Sequence, residues 1–181
     1  MTSPTEYDIA DQINKGDFEK TLRLVKRFQG NFVECDNPAQ QICYGIGQET
    51  PSSPGLRFQA LAECLKKLDG NEFARNPDSD WNLLSVAHQS GSVDTVRFLL
   101  LMGWPMSGLQ GKRFAANGRS YIRNVERNGP SRIYSGHAYW RDGGYLRDLK
   151  RAQRVIECAR RAARKQRGPK LRRRHRRLPT P

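Results

Sequence analysis

The chain of 181 residues is poor in hydrophobic residues and has no long hydrophobic run. Hydrophobic residues make up 36% of it, which is low for a compact domain of this length, so we expect a sizeable part to lie outside the core. No run approaches the roughly 18 apolar residues that cross a bilayer, and no signal-peptide core follows the polar N-terminus. We therefore expect an intracellular protein of one domain, or of one domain with a tail.

The sequence also lacks the residue patterns of metal sites and of common catalytic sites. Its four cysteines have no paired metal-like spacing, so we expect reduced thiols and neither zinc nor a disulfide framework. They are Cys35, Cys43, Cys64 and Cys158. A Walker-type phosphate loop, a G-x-S-x-G elbow and an H-E-x-x-H motif are all missing. We therefore expect no enzymatic activity and no cofactor.

Acidic residues are scarce at the C-terminal end, although the whole chain has a formal net charge of +14. Residues 1–131 contain 15 Lys and Arg and 15 Asp and Glu, whereas residues 132–181 contain 17 and 3. The whole excess of positive charge therefore lies in the last 50 residues. The sequence predicts a neutral body and a strongly basic end.

The stretch Asp80–Gly103 has the hydrophobic spacing of two short helices joined by a turn at Gly91. Apolar residues recur three and four positions apart on each side of Gly91, which is the helical period. Asn82 can cap the first helix, and Gly91 permits the positive φ of a turn. Two helices of this size cannot bury their apolar faces alone, so the unit predicts neighbouring helices.

This stretch resembles an ankyrin repeat, whose pattern is T-P-L-H-x-A-A-x-x-G-h-x-x-V-V-x-x-L-L-x-x-G. The residues that fall on positions of the pattern are Leu84, Ala87, Gly91, Val96, Leu99, Leu100 and Gly103. The sequence departs from the pattern at Asn82-Leu83 in place of Thr-Pro, at Ser85 in place of His, and at His88 in place of the second Ala. The match covers about 24 of the 181 residues.

A second stretch, Tyr7–Arg27, has the same plan of helix, glycine and helix around Gly16. When Gly16 is aligned with Gly91, Ile9 matches Leu84, Leu24 matches Leu99 and Val25 matches Leu100, which makes a weaker copy of the same unit. The two glycines are 75 positions apart, which leaves room for one intervening repeat and a short insertion. We expect helices over Pro38–Tyr44 and Leu56–Leu68 there. The alternative is that the two stretches are unrelated helical hairpins.

The rest of the chain divides into a segment without a clear helical pattern, a helix and a tail. Residues 107–144 predict either an irregular segment or a degenerate capping repeat, with a short helix over Ser120–Asn128. Tyr145–Arg167 predicts a long helix with apolar and basic residues on opposite faces. The predicted fold is thus all-α: disordered residues 1–6, an ankyrin-like stack of helix pairs over 7–106, the segment 107–144, a basic helix over 145–167 and a disordered basic tail over 168–181.

The resemblance implies that a protein partner binds the turns and first helices of the stack. The candidate protein-binding residues are Asp78, Asp80, Trp81, Ser85, His88 and Gln89. Trp81 is the preferred anchor, because Trp residues often dominate interface energies. For His88, packing within its helix is the alternative role, and for Asp78 and Asp80 it is turn formation.

The arginine-rich end predicts a second working part. Its two clusters have the spacing of a bipartite nuclear localisation signal and also suit phosphate binding by RNA or DNA. The candidate nucleic-acid-binding or nuclear-localisation residues are Arg160, Arg161, Arg164, Lys165, Arg167, Lys170, Arg172, Arg173, Arg174, Arg176 and Arg177. The alternative is a solvated charge run without a partner. Membrane binding ranks third, because the apolar face of the helix is rich in Ala.

Together these features predict a non-enzymatic adaptor or inhibitor that binds a protein through its repeats and a nuclear import receptor through its tail. Short ankyrin-only proteins include host-directed viral proteins, and the resemblance extends to that class. We expect the protein in the nucleus and the cytoplasm. The alternative function is a nucleic-acid-binding regulator, acting on RNA above all, that uses the Arg-rich C-terminal region.

Overall fold

The structure is a computed structural model that describes residues 3–34, 36–45, 54–71, 82–104, 108–129 and 143–166. Within these ranges the chain forms eight α-helices and no strand, which confirms the prediction of an all-α fold. The helices are α1 (Glu6–Asn14), α2 (Phe18–Arg27), α3 (Pro38–Tyr44), α4 (Pro54–Lys66), α5 (Leu83–Gln89), α6 (Val93–Leu101), α7 (Gly108–Asn128) and α8 (Gly144–Gln166).

Helices that are neighbours along the chain pack against each other and form four consecutive pairs. These pairs are stacked on one another. The first helices of the pairs contact one another in the order α1, α3, α5 and α7. Among the second helices, α2 contacts α4 and α6 contacts α8, while the rings of Phe58 in α4 and Phe98 in α6 stack at 4.9 Å between centroids. Each pair therefore packs mainly on the pair before it and the pair after it.

Side-chain caps begin several of these helices. Thr5 and Asp8 form a capping box that satisfies N–H groups at the start of α1, so ordered structure starts within the segment 1–6 that we expected to be disordered. Asp17 Oδ1 accepts from the Lys20 N–H and caps α2. Asn82 Oδ1 accepts from the Leu84 N–H at 3.0 Å, which confirms the predicted cap of α5.

One continuous hydrophobic core runs through the first three helix pairs and into the fourth. It reaches the fourth pair through Phe114 of α7 and through Ala152 and Ile156 of α8. A smaller cluster lies between α7 and α8 and consists of Ile122, Val125, Tyr145 and Leu149. The fourth pair therefore closes the stack and contributes to the same folded unit.

A half-buried arginine links the second and third pairs. The Arg57 guanidinium in α4 donates to the Ile42 carbonyl oxygen in α3 at 3.1 Å and to Thr95 Oγ1 in α6 at 2.8 Å. Burial lowers the pKa of Arg57, yet an arginine stays charged at neutral pH. One side chain thus joins three helices.

The helix α7 is longer than the sequence indicated. We expected an irregular segment before a short helix over Ser120–Asn128, but residues Gly108–Asn128 form one helix of 21 residues. Phe114, Ala115, Ile122 and Val125 are buried along it, and this packing outweighs the low helix propensity of its glycines. The rest of the segment 107–144, at 107 and 130–142, lies outside the described residues.

The helix α8 confirms the predicted basic helix within one residue at each end. Its buried side includes Leu149, Ala152 and Ile156, and its exposed side carries the predicted basic residues. These are Arg147, Arg151, Arg154, Arg161 and Lys165. The predicted tail, residues 168–181, lies outside the described residues.

Candidate functional site

A groove of about 650 Å³ lies between α5 and α7. Leu84, Phe114 and Ile156 supply its apolar surface, and Ser85 and Gln89 supply polar groups from α5. Most of the remaining lining comes from α7, as polar residues and two arginines: Asn117, Ser120, Tyr121, Arg123, Asn124, Arg127 and Asn128. Among the described residues that line the groove there is no Asp or Glu, so its charged groups are all cationic.

Three of the predicted protein-binding residues lie in this groove. On α5, His88 and Gln89 follow Ser85 by three and four positions, so the three residues share the helix face that points to α7. Ser85 and Gln89 are half-buried and can be reached from the groove. His88 is only 3% exposed, because α7 covers it, so it does not offer the exposed surface that we expected. Asp78, Asp80 and Trp81 lie outside the described residues.

His88 is a buried polar group with an unsatisfied nitrogen. Its Nε2 has no hydrogen-bond partner among the described residues, and the Tyr121 ring meets the imidazole edge-on at 6.3 Å between centroids. Burial lowers the pKa of His88 to about 4, because desolvation disfavours the charged form. The imidazole is therefore neutral at physiological pH and adds no charge to the groove.

Two tyrosines connect the groove to the end of the stack. The Tyr145 hydroxyl in α8 donates to the Gln89 carbonyl oxygen and lies 3.0 Å from the Tyr121 hydroxyl in α7. Burial raises the pKa of Tyr121, so its hydroxyl stays protonated at neutral pH. This link holds α5, α7 and α8 together at one end of the groove.

A buried glutamine fixes the distance between α7 and α8. Gln153 Nε2 donates to the Ala115 carbonyl oxygen at 2.9 Å and to Glu157 Oε1 at 3.0 Å. The hydrogen bond from Gln153 to Glu157 is the main cause of the lowered pKa of Glu157. Gly118 leaves room for the Gln153 amide, since a Cβ at Gly118 would overlap Gln153 Oε1. No local sequence pattern indicates this contact, because it joins Gly118 and Gln153, which are 35 positions apart on two different helices.

The predicted basic site is only partly within the described structure. Arg161, Arg164 and Lys165 are exposed on the last turns of α8, and Arg160 is half-buried there. The other predicted residues of this site lie outside the described residues: Arg167, Lys170, Arg172, Arg173, Arg174, Arg176 and Arg177.

The boundary between acidic and basic parts coincides with the start of α7. Residues 1–107 contain 10 Lys and Arg and 14 Asp and Glu, a net charge of −4, whereas residues 108–181 contain 22 and 4, a net charge of +18. Within the fourth pair, α7 contributes five cations and one acid and α8 contributes eight and two. The positive charge thus begins in a folded helix pair, and not only in the tail as the count from residue 132 implied.

The described residues contain no group of three His, Cys, Asp or Glu side chains that could hold a metal ion. Burial raises the pKa of Cys43 to about 12 and also raises that of Cys64, so these two thiols stay protonated. None of the helices in the described ranges has an apolar stretch of the length that a membrane crossing requires. Comparison of the chain with protein-family models, with curated proteins and with solved structures found no match.

Proposed function

We propose that this protein is a non-enzymatic adaptor or inhibitor that binds a protein partner in the groove between α5 and α7. The observation that carries this proposal is the groove itself. It combines an apolar floor with a polar, cationic wall, and Ser85 and Gln89 lie where the ankyrin resemblance puts partner contacts. Interfaces commonly combine a small apolar centre with a polar rim.

The stacking of helix pairs supports an ankyrin-like array as the scaffold. Gly16 and Gly91 both turn the chain between the helices of a pair, with φ values of 70° and 71°. The residues that follow these glycines, Asp17 and Ser92, occupy the N-cap positions of α2 and α6. Repeated units of this kind bury their faces only against each other and expose one long binding surface.

The test of the adaptor function blocks the groove with long side chains. Ser85→Lys with Gln89→Lys places two bulky cations on the groove face of α5, and we expect affinity capture of the partner from cell extract to be lost. The matched control is Ala10→Lys with Asn14→Lys, which changes the equivalent positions of α1 when Gly16 and Gly91 are aligned. Partner capture that survives the α5 change, with helical content retained in both variants, would contradict the proposal.

A second candidate function is a nucleic-acid-binding regulator that uses the Arg-rich C-terminal region. Its specific support is that the acids of the fourth pair are already in ion pairs. Glu126 binds Lys150 at 2.8 Å, Asp148 binds Arg151 at 3.4 Å and Glu157 binds Arg119 at 2.7 Å. The cations of residues 108–181 outnumber the acids by 22 to 4, and the phosphates of RNA or DNA can balance this excess positive charge.

Filter binding across a range of salt concentrations tests this second function. We expect full-length protein to bind RNA or DNA with an affinity that falls steeply as salt rises. A variant with the Lys and Arg residues after position 166 neutralised should bind more weakly. Equal binding by the two proteins would refute a role of the tail.

The tail is also proposed as the signal that a nuclear import receptor binds. Replacement of Arg172, Arg173 and Arg174 with Ala should leave the protein in the cytoplasm, because import receptors read clustered positive charge. Fluorescence microscopy of a tagged full-length protein measures this distribution. An unchanged nuclear signal would refute the proposal.

A further inference from the structure

The first half of α8 carries a cationic surface outside the residues that the sequence predicted to bind nucleic acid. Arg147, Lys150, Arg151 and Arg154 line a shallow pocket of about 380 Å³ together with Leu146 and Gly143, and no acid is among these lining residues. The Arg147 and Arg151 side chains are 68% and 64% exposed. This surface lies on a folded helix, N-terminal to the predicted arginine clusters that begin at Arg160.

Three of these cations, Arg147, Arg151 and Arg154, belong to a straight row along α8. At 100° per residue, the row residues fall within an arc of about 80° on the helix surface. They are Arg147, Arg151, Arg154, Arg161 and Lys165. The row spans 18 helical steps, or about 27 Å, which is the length of about eight phosphates of one duplex strand at 3.4 Å each.

Little of this charge is neutralised inside the protein. Two acids of α8 lie beside the row: Asp148 forms ion pairs with Arg151 and Arg147, and Glu157 is close enough to Arg161 for their charges to interact. Glu157 is bound by Arg119. Arg154 and Lys165 form no ion pair within the described part of the chain. The row therefore keeps a net positive charge toward solvent.

We propose that the exposed face of α8 from Arg147 to Lys165 binds the phosphate backbone of a nucleic acid. This inference rests on the second proposed function and places its contact surface on a rigid helix of the fourth pair. Guanidinium groups that recur along one exposed helix face suit a ligand with a chain of anionic groups, since each fork can bind phosphate oxygens.

The packing of α8 favours a nucleic acid over an acidic membrane. A helix that lies on a membrane inserts its apolar face. In α8 that face is occupied, because Leu149, Ala152 and Ile156 are buried in the hydrophobic core of the stack. Only the cationic side is available to a partner.

The test compares two full-length variants of equal net charge. One carries Arg147→Gln, Lys150→Gln, Arg151→Gln and Arg154→Gln. The other carries Lys20→Gln, Arg23→Gln, Lys26→Gln and Arg27→Gln, which removes four exposed cations of α2 at the far end of the stack. Fluorescence anisotropy follows binding of labelled single-stranded RNA and duplex DNA, each of about 20 nucleotides per strand, from about 50 to 200 mM NaCl.

We expect the α8 variant to lose about tenfold or more in affinity and to reduce the salt slope by about three to four. The α2 variant should stay within about twofold of the unchanged protein. Equal losses in the two variants would overturn the inference, because net charge alone would then account for binding. No binding by the unchanged protein would instead refute the second proposed function. Stronger binding to phosphatidylserine vesicles than to either nucleic acid would overturn the choice of partner.

A second measurement uses the unchanged protein and does not depend on the folding of a variant. Cys158 is exposed and lies on the row between Arg154 and Arg161. Mass spectrometry of the Cys158 peptide gives the rate of thiol alkylation with and without the RNA or DNA probe. We expect saturating nucleic acid to slow the alkylation several-fold, and an unchanged rate would overturn the inference.

Discussion

At the scale of single residues, His88 makes the stability of the fold depend on pH. The neutral imidazole is buried under α7, and its pKa in the folded protein is about 4, compared with an ordinary value of 6.5. Protonation therefore favours the unfolded chain. Stability from this group is complete above pH 6.5 and is lost as the pH falls toward 4.

The first prediction follows from this titration. Between pH 6.5 and pH 4, the unchanged protein should lose roughly 3 kcal/mol more unfolding free energy than the variant His88→Leu, which cannot titrate there. Urea denaturation at several pH values measures the difference, and it cancels the contributions of carboxylates that both proteins share. Parallel pH profiles for the two proteins would contradict a buried neutral His88.

Two glycines with similar backbone angles provide the second prediction. Gly91 has φ +71° and a Cβ there would meet the Tyr145 ring at 3.1 Å, whereas Gly103 has φ +88° and open space around it. Gly103→Ala should cost about 1 kcal/mol from the left-handed backbone alone. Gly91→Ala should cost roughly 2 kcal/mol or more, because the tyrosine must also move. Urea denaturation midpoints of the two variants measure these losses of stability. Equal losses would show that a side chain at position 91 does not clash with Tyr145.

At the scale of helices, α7 shows what the sequence could and could not predict. The helices α1, α2, α5 and α6 follow from apolar spacing and from caps such as Asp17 and Asn82, which are local signals. Gly111 and Gly118 argue locally against a helix. The reason for Gly118 lies in α8, where Gln153 occupies the space a side chain would need. Because a helix was expected only over Ser120–Asn128, the covering of His88 by α7 was not predicted, although packing was the alternative role for His88.

The third prediction tests this contact with a double-mutant cycle. Ala in place of Gly inside a helix usually stabilises by up to about 1 kcal/mol. Gly118→Ala should instead destabilise the protein by roughly 1–2 kcal/mol, because the displaced Gln153 loses its bonds to Ala115 and Glu157. In a Gln153→Ala background the same change should be stabilising. Thermal unfolding of the four proteins gives the coupling, and additive effects would contradict the contact.

For the whole molecule, the stack of pairs implies that stability is local. Each pair contacts mainly its neighbours, as in repeat arrays whose ends can open separately. The α1–α2 pair and the α7–α8 pair occupy opposite ends. A destabilising substitution in the pair at one end should therefore leave the amides of the pair at the other end largely protected from hydrogen exchange.

The fourth prediction is a reciprocal pattern of amide hydrogen exchange. Ile13→Ala in α1 removes a fully buried side chain and should raise exchange rates in α1 and α2 by about tenfold or more while α8 changes little. Leu149→Ala in α8, which is equally buried, should do the opposite. Uniform acceleration along the whole chain in both variants would show that the stack unfolds as a single cooperative unit.

The bonds of Arg57 also limit how such a chain can grow. Because its guanidinium reaches Ile42 in its own pair and Thr95 in the next, it sets the offset between the second and third pairs. A duplicated pair inserted at that junction would separate Arg57 from Thr95 and leave a half-buried cation without one of its acceptors, unless the insert supplied an arginine and a hydroxyl of its own.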